Sequence, residues 1–464
     1  MQVSVRIANL ALGAVVTALL VRTLGATNYG RWSTMLAVLA LVAFFANFGM
    51  EGVGLREAAK EPEHELEWIG SVMMMRLVMV VPVMALSIGA VLALPHNEAM
   101  LIAGLILVLG MPFGGVSALG LLFKLRVDNR IPMLVLTIRS VLWGVGVLVI
   151  HLDGGGLVAL AVAMIASDLI GAVVNVLGAL KLASRRPRPT FKHVRRLVSV
   201  SLTVGLSGML IFAYAEIDQV IVYVIKGGRE AGLYGAAYNL LNQSHFVPVA
   251  ILTTLAPVLA ASWPADPARL RRAARQTAEL LSVVSFGGLA FTIVAARPVV
   301  ILIFGAGFAD AAPALPVLIG AFVLISYGYL NGNLMVVLGK QRRMLGISLL
   351  ALAVNLAGNL ILVPLVGFMG AAWMTFATEA VVLFSTSRVL AAELGIRRLP
   401  LGRILRTVAA AVVLGLALGG VRLAGAPLGV LVAVAAVLYP ALLFALRAIG
   451  RDDVMLVLRR RSAA

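Results

Sequence analysis

Hydrophobic positions along this chain come in long blocks. Fourteen of them are long enough to cross a hydrocarbon core of about 30 Å at about 1.5 Å per residue. They lie near residues 5–24, 32–50, 70–94, 99–122, 131–151, 157–180, 199–225, 232–258, 280–304, 314–338, 345–363, 369–392, 406–424 and 428–447. Connections are short, the longest being the basic stretch after the sixth block and residues 262–279. None is large enough for a soluble domain. The pattern predicts an all-α integral membrane protein with about fourteen transmembrane helices.

Polar residues matter where they interrupt the blocks. Residues 197–261 hold two spans joined by a turn built on Gly227, Gly228 and Gly232. The first span carries Glu216 and Asp218; the second carries Tyr238, Asn239, Asn242, Gln243, Ser244 and His245. A carboxylate deep in a span costs roughly 2.5–3.5 kcal/mol on insertion scales, so such groups normally face a protein-lined or watery interior. The rest of the chain then reads as a frame around a polar cavity, which is how a transporter is built.

Composition agrees. The 464 residues are 61% hydrophobic and 12% charged, with mean hydropathy +1.04; a soluble domain carries about a quarter charged residues. Cysteine is absent, which excludes disulfides, thiolate metal sites and cysteine nucleophiles. The formal charge of +18 is distributed unevenly. With the N-terminus inside, about 29 Lys and Arg fall in cytoplasmic connections and the tail, against about five (Arg22, Arg31, Lys226, Arg229, Arg422) opposite. The bias places both ends in the cytoplasm and accounts for the charge without a nucleic-acid partner. Residues 51–67 run against it with six glutamates, but acidic residues weigh little in the rule. Arg6 precedes an apolar run of about eighteen residues, too long for a cleavable signal.

The chain also repeats. Gly25-Ala-Thr-Asn-Tyr29-Gly30 after the first span answers to Ala231-Gly-Leu-Tyr234-Gly235 after the seventh; LRVDNR (125–130) answers to LGKQRR (338–343). Six spans separate each pair, an even offset that keeps orientation, so the repeat is parallel about an axis along the membrane normal. The expected organisation is a six-helix bundle over 1–180, a basic cytoplasmic linker at 181–196, a second six-helix bundle over 197–395, and two additional helices with a basic tail over 396–464. A V-shaped cleft between the bundles is expected.

Four stretches in order resemble a known family. LLVRTLGATNYGRWSTMLAVLALVAFFANFG (19–49), AEIDQVIV with AGLYGAAYNLLNQ (215–243), ARPVVILIFGAGFADAAPALPVL (296–318) and the run from LNGNLMVV to MTFATE (330–379) are similar to polysaccharide-biosynthesis flippases of the Wzx type. These belong to the multidrug/oligosaccharidyl-lipid/polysaccharide exporter superfamily. The resemblance implies alternating access and a lipid-linked oligosaccharide, typically on a polyprenyl pyrophosphate, crossing the cytoplasmic membrane for cell-surface polysaccharide synthesis. It also implies membrane lipid and polysaccharide polymerase machinery as partners, a monomeric transport unit, and an acidic role for Asp218.

The candidate cavity residues each have a plainer reading. Arg139 and Asp168 sit about 12 Å and 20 Å from the cytoplasmic ends of spans five and six by helix rise. They make either a structural ion pair or a phosphate contact with its counter-charge. Glu216 and Asp218 lie about 200° apart on a helix and cannot share a face. Glu379 is mid-span in the twelfth helix, where a cavity and an ion pair are both open. Asn355 and Asn359, spaced i and i+4, share a face and line a sugar path or bond a neighbouring helix. Tyr238, Asn239, Asn242, Gln243 and His245, with Tyr327, Tyr329, Asn331 and Asn333, fit the polar, partly aromatic wall a sugar needs; helix packing explains them as well. Arg76 and Arg297 lie nearer span ends, where snorkelling is the simpler reading, and Arg22 is an end anchor.

Enzymatic readings fare worse. No G-x-x-x-x-G-K-[ST] loop or H-E-x-x-H spacing occurs. No cofactor or bound metal is therefore expected, and energy must come from an ion gradient (sodium or proton), the substrate gradient, or consumption of product. A membrane glycosyltransferase or polymerase would place acids or histidines in long outer loops, and these loops are short. A multidrug exporter of organic cations from the same superfamily is the stronger rival, since a cation favours cavity acids and a pyrophosphate favours cavity arginines.

Overall fold

The computed structural model describes residues 2–126, 128–183, 187–395 and 402–449; among them helix dominates and no strand occurs. Arg185, Arg186, Arg397, Arg398, Arg451, Arg459, Arg460 and Arg461, which enter the charge pattern, lie outside the described residues. The chain forms two compact units, Met1–Gly235 and Ala236–Ala464. The first holds α1 (Gln2–Asn47), α2 (Met50–Lys60), α3 (Glu65–Ala93), α4 (Glu98–Val108), α5 (Met111–Val116), α6 (Leu121–Leu125), α7 (Arg130–Asp153), α8 (Leu157–Leu182) and α9 (Phe191–Lys226). The helix α10 (Gly228–Ser244) crosses into the second, which continues with α11 (Phe246–Ser262), α12 (Pro267–Phe304), α13 (Ala314–Val337), α14 (Gln341–Val366), α15 (Phe368–Leu394), α16 (Gly402–Leu423) and α17 (Leu428–Ala445). The seventh span thus packs in the first compact unit, whereas the repeat read from the letters opens its second half there.

Thirteen helical stretches among the described residues are long and apolar enough to cross a membrane. The first of them contains Gly25 at φ 66°, ψ 173°, a backbone state that only glycine adopts without strain. The helix breaks there into two arms, and counting both recovers the fourteen segments read from the sequence. Gly227, between α9 and α10, repeats the device at φ 83°, ψ −177°.

The helices leaving these two turns touch backbone to backbone. A Cβ on Gly30 would lie 1.9 Å from the Gly228 carbonyl oxygen, and one on Gly232 would lie 1.8 Å from that of Ala26. This contact, of 30 on 228 and of 26 on 232, is reciprocal under a shift of 202, which carries 26 onto 228 and 30 onto 232. Matching Tyr29 to Tyr234 implies a shift of 205, so this contact is three residues out of step with the matching letters. Under the shift of 202 Tyr234 answers to Trp32, and both are fully buried. Gln219 joins the same place: its Nε2 is within hydrogen-bond distance of Ser33 Oγ (3.0 Å), Thr34 Oγ1 (3.1 Å) and the Ala231 carbonyl (3.0 Å). Lower on the same arm Trp32 stacks on Trp143 of α7, with ring centroids 6.2 Å apart.

The glutamate-rich segment 51–67 is not a loop but α2 and the start of α3, and its acids are matched by cations. Lys124 meets Glu51 at 2.5 Å, Arg126 meets Glu65 at 2.5 Å, and Arg196 meets Glu57 at 2.6 Å and Glu61 at 3.3 Å. Arg196 also lies over the Trp68 ring, 5.8 Å from its centroid. The described end of the basic linker is fastened to α3. Gly70 has no side chain to block the Arg188 and Pro189 backbone, and the Thr190 N–H donates to Ser71 Oγ at 3.2 Å. His193, 4% exposed, sits 3.3 Å from Glu67 and 3.7 Å from Glu61.

In the second unit α13 is the central helix, packed against α12 and α15, with α14 on α15. Residues 262–279, read as a long connection, are mostly the N-terminal turns of α12. Asp266 caps it by accepting from the Arg269 N–H at 2.8 Å, Pro267 opens it, and its 38 residues run about 57 Å, well beyond a hydrocarbon core. The two additional helices, α16 and α17, pack on α12, where Gly287 makes room for the Tyr439 ring and the Val283 carbonyl accepts from the Tyr439 hydroxyl at 2.7 Å.

Two outcomes follow. Gly30→Ala or Gly232→Ala must push two backbones apart, so each is expected to cost about 1–3 kcal/mol or more. Each should lower the melting temperature of the detergent-solubilised protein, while Gly89→Ala, with nothing within 4 Å, leaves it unchanged. Burial holds His193 below the ordinary imidazole value of 6.5, against the opposing pull of Glu67 and Glu61; His64 and Lys192 add smaller depressions. A depressed imidazole contributes stability above the unfolded value that is lost as pH falls through the folded one. The melting temperature should therefore drop on acidification below about pH 6.5, and His193→Gln should flatten that part of the profile.

Candidate functional site

The first unit holds an open-sided cavity of about 320 Å³ among α1, α3, α5, α7 and α8. Three helix stripes build its polar wall. Arg76, Val80 and Val83 follow one face of α3; Val135 and Arg139 are one turn apart on α7; Asp168, Gly171, Ala172 and Asn175 follow one face of α8. Ala43 contributes from the second arm of α1, and Gly114 and Gly115 keep the α5 side low.

Arg139 and Asp168 meet inside this cavity as an ion pair, Nη2 donating to Oδ1. Gly171 explains how the arginine reaches: its missing side chain leaves the place where the Arg139 stem crosses α8, since a Cβ would lie 2.5 Å from Cδ. The pair is only partly enclosed, with the Arg139 side chain 48% exposed and Asp168 23%. Arg76 is the deeper cation. Its side chain is 11% exposed, so it does not snorkel to a headgroup as its place near the span end suggests. Glu51 Oε2 lies 3.6 Å from its Nη1, an ion pair too long for a hydrogen bond, while Lys124 holds Glu51 Oε1 at 2.5 Å. Arg76 Nη1 and Asn175 Oδ1 are buried and make no hydrogen bond within the protein. Two arginines and one aspartate among the lining residues leave a net charge of one positive unit.

The other sequence candidates do not join this cavity. Asp218 is fully buried and accepts from the Tyr234 hydroxyl at 3.1 Å, part of the packing beside the glycine contact. Glu216, two residues earlier on α9, is half-buried on another face. Arg22 on α1 and Arg297 on α12 are exposed.

In the second unit Tyr238 and Asn239 are half-buried while Asn242 and Gln243 are exposed, so that stretch presents no single enclosed wall. His245 breaks its span between α10 and α11; its ring stacks on Phe322 at 6.3 Å and meets Tyr329 edge-on at 5.9 Å. Asn355 and Asn359 do share a buried face of α14, with Asn359 Nδ2 donating to the Asn355 carbonyl at 2.9 Å. The Asn355 amide and the Thr378 hydroxyl make no hydrogen bond within the protein. The Glu379 carboxylate lies half-buried beside Gly328.

Sequence reasoning missed four positions: Glu51, Gly171, Asn175 and Gln219. Asn175 was within reach, since it stands seven residues, two turns, from Asp168 on the same face. Nothing local marks Gly171 or Glu51, whose roles depend on α7 and α3.

The chain matches the family described as polysaccharide biosynthesis protein over residues 2–263. The probable low-salt glycan biosynthesis flippase Agl15 of Haloferax volcanii is 24% identical over 376 residues, covering 78% of this chain and 76% of its own. Among solved structures, the lipid II flippase MurJ in an inward closed conformation is similar with TM-score 0.73 at 11% identity, over 94% of this chain and 96% of that one. A multidrug resistance MATE family transporter of the MOP superfamily, inward-facing, gives TM-score 0.70 at 15% identity, over 84% and 96%. At these identities the likeness to the two structures is one of fold.

With no native cysteine, single-cysteine variants label without background. A cysteine at 139 should react with a charged thiol reagent, whereas one at Val145, exposed on α7 and outside the cavity lining, should not. Failure of the first to react in a protein with wild-type melting and gel-filtration behaviour would remove Arg139 from any water-reachable site.

Proposed function

We propose that this chain, which belongs to the polysaccharide biosynthesis protein family, is a flippase. Its cargo in this reading is an oligosaccharide on polyprenyl pyrophosphate, moved across the cytoplasmic membrane by alternating access for cell-surface polysaccharide synthesis. One observation carries the reading: two arginines from different helices converge on one cavity at membrane depth. Each costs roughly 2.5–3.5 kcal/mol to place there on insertion scales, so their convergence calls for an anionic guest. The net positive lining opposes an organic cation, which is why the drug-exporter reading ranks second. A cavity of about 320 Å³ lies at the small end of the ~300–1,000 Å³ typical of ligand pockets. It suits the pyrophosphate and an adjoining sugar, with the prenyl tail left in lipid. The relative described as a glycan biosynthesis flippase supports the same class.

The protein acts as a transporter, and no bond of the cargo changes. Asp168, the carboxylate of the lining, is held in a bonded pair, and Glu51, outside the lining, faces Lys124 and Arg76. Neither is placed as a free general acid or base. The glycine turns at 25 and 227 supply the hinge points for alternating access, and the loop charge puts both termini in the cytoplasm. A monomer is the transport unit, with the polysaccharide polymerase machinery downstream. A sodium or proton gradient is one of three energy sources open to it, beside the substrate gradient and consumption of product; for the first, the buried oxygens of Asn355 and Thr378 are donors of the kind a hard cation takes.

Reconstituted vesicles test the reading. A fluorescent lipid-linked oligosaccharide should change leaflet in the presence of the protein, and Arg76→Gln or Arg139→Gln should slow it about tenfold or more. Efflux of a cationic dye without any lipid movement would replace the flippase with a drug exporter.

A further inference from the structure

We propose that Asp168 is an internal rival of the cargo: a phosphate entering the cavity takes the place of Asp168 on Arg139, while Arg76 receives it from α3. The proposal rests on reading the cavity as a site for an anionic headgroup, and it assigns Asp168 as the residue that sets specificity.

Three observations carry it. The Arg139–Asp168 bond uses a single guanidinium nitrogen, Nη2, and both side chains are partly exposed, so the pair can open. A phosphate offers the planar guanidinium two acceptor oxygens at once, which a single Asp168 oxygen does not. Arg76 is in a different condition: deeply buried, with Nη1 making no hydrogen bond and only a long ion pair to Glu51 Oε2 at 3.6 Å, while Lys124 holds the other Glu51 oxygen. The cavity therefore holds one cation with a long ion pair but no hydrogen bond at Nη1, and one masked cation. Gly171 leaves room for the masked one, because the Arg139 stem lies where a side chain at 171 would be.

This arrangement discriminates by charge. A neutral sugar or alcohol cannot displace Asp168. An organic cation meets Arg76. A phosphate satisfies Arg76 and releases Asp168 from Arg139 in the same event. When it leaves, Asp168 returns, and Arg139 is never left unpaired within the bilayer. Asn175, two turns along the same face of α8, offers its unbonded Oδ1 to a hydroxyl of the adjoining sugar.

Farnesyl pyrophosphate titrated onto the full-length protein in detergent tests the exchange, with farnesol as the neutral probe. Asp168→Asn should tighten farnesyl pyrophosphate binding about fivefold by removing the rival. Arg139→Gln should weaken it about tenfold, and in that background Asp168→Asn should change nothing. Asp168→Glu, which keeps a competing carboxylate, should give no tightening, and farnesol binding should not respond to any of these changes. Should Asp168→Asn fail to fold, by melting curve and gel filtration, Asp168→Ser carries the same expected sign. Unchanged or weaker pyrophosphate binding on loss of the carboxylate, with Arg76→Gln still abolishing it, overturns the exchange and leaves the flippase reading intact. A wild-type protein that binds rhodamine 6G but no farnesyl pyrophosphate overturns both.

Discussion

Two glycines in backbone contact hold the first unit's helices where the rest of the structure needs them. In a bilayer, lipid tails are as apolar as leucine, so burying a leucine between helices yields little; close approach of backbones at small residues does the work instead. Gly30 and Gly232 supply that approach, and Gln219 adds hydrogen bonds beside it. The second arm of α1 runs from this contact to Ala43 at the cavity wall, about 20 Å further on. The helix α9 runs from the turn at Gly227 back to the clamp of His193 and Arg196 on α2 and α3. Those two anchors set the positions of α1, α3 and α9, and with them part of the cavity frame.

Charge is managed in the same unit by pairing at every level. Near the chain reversals the glutamates of 51–67 neutralise Lys124, Arg126 and Arg196, so the segment that breaks the loop-charge rule serves the fold. Deeper, Glu51 reaches toward Arg76 and Asp168 holds Arg139. Moving from the surface cluster to the cavity, the match becomes less complete: Arg76 keeps an unbonded nitrogen, and Asn175 an unbonded oxygen. Incomplete satisfaction of buried polar atoms carries a penalty that a stable fold normally avoids. Two such atoms meet in this cavity, and others, on Asn355 and Thr378, lie in the second unit.

By itself the sequence determined the class, the membrane segments once the break at Gly25 is counted, and the Arg139–Asp168 candidate pair. These are legible because crossing a bilayer is a one-dimensional constraint: twenty apolar residues, a break, and basic residues on one side. Only the tertiary structure decided which polar residues share a space. It moved Arg76 from a span-end anchor to the cavity, placed Asp218 in the packing beside Tyr234, left Asn242 and Gln243 exposed, and turned 262–279 from a connection into helix. It also put the reciprocal contact of Gly30 and Gly232 three residues out of step with the matching Tyr-Gly letters. The physical reason is common to all of these. In a soluble helix the apolar face announces which side is buried, but in a membrane the lipid-facing and protein-facing sides are both apolar. The rotation of each helix is then fixed by where small residues let backbones meet, a property of two helices together that neither carries alone.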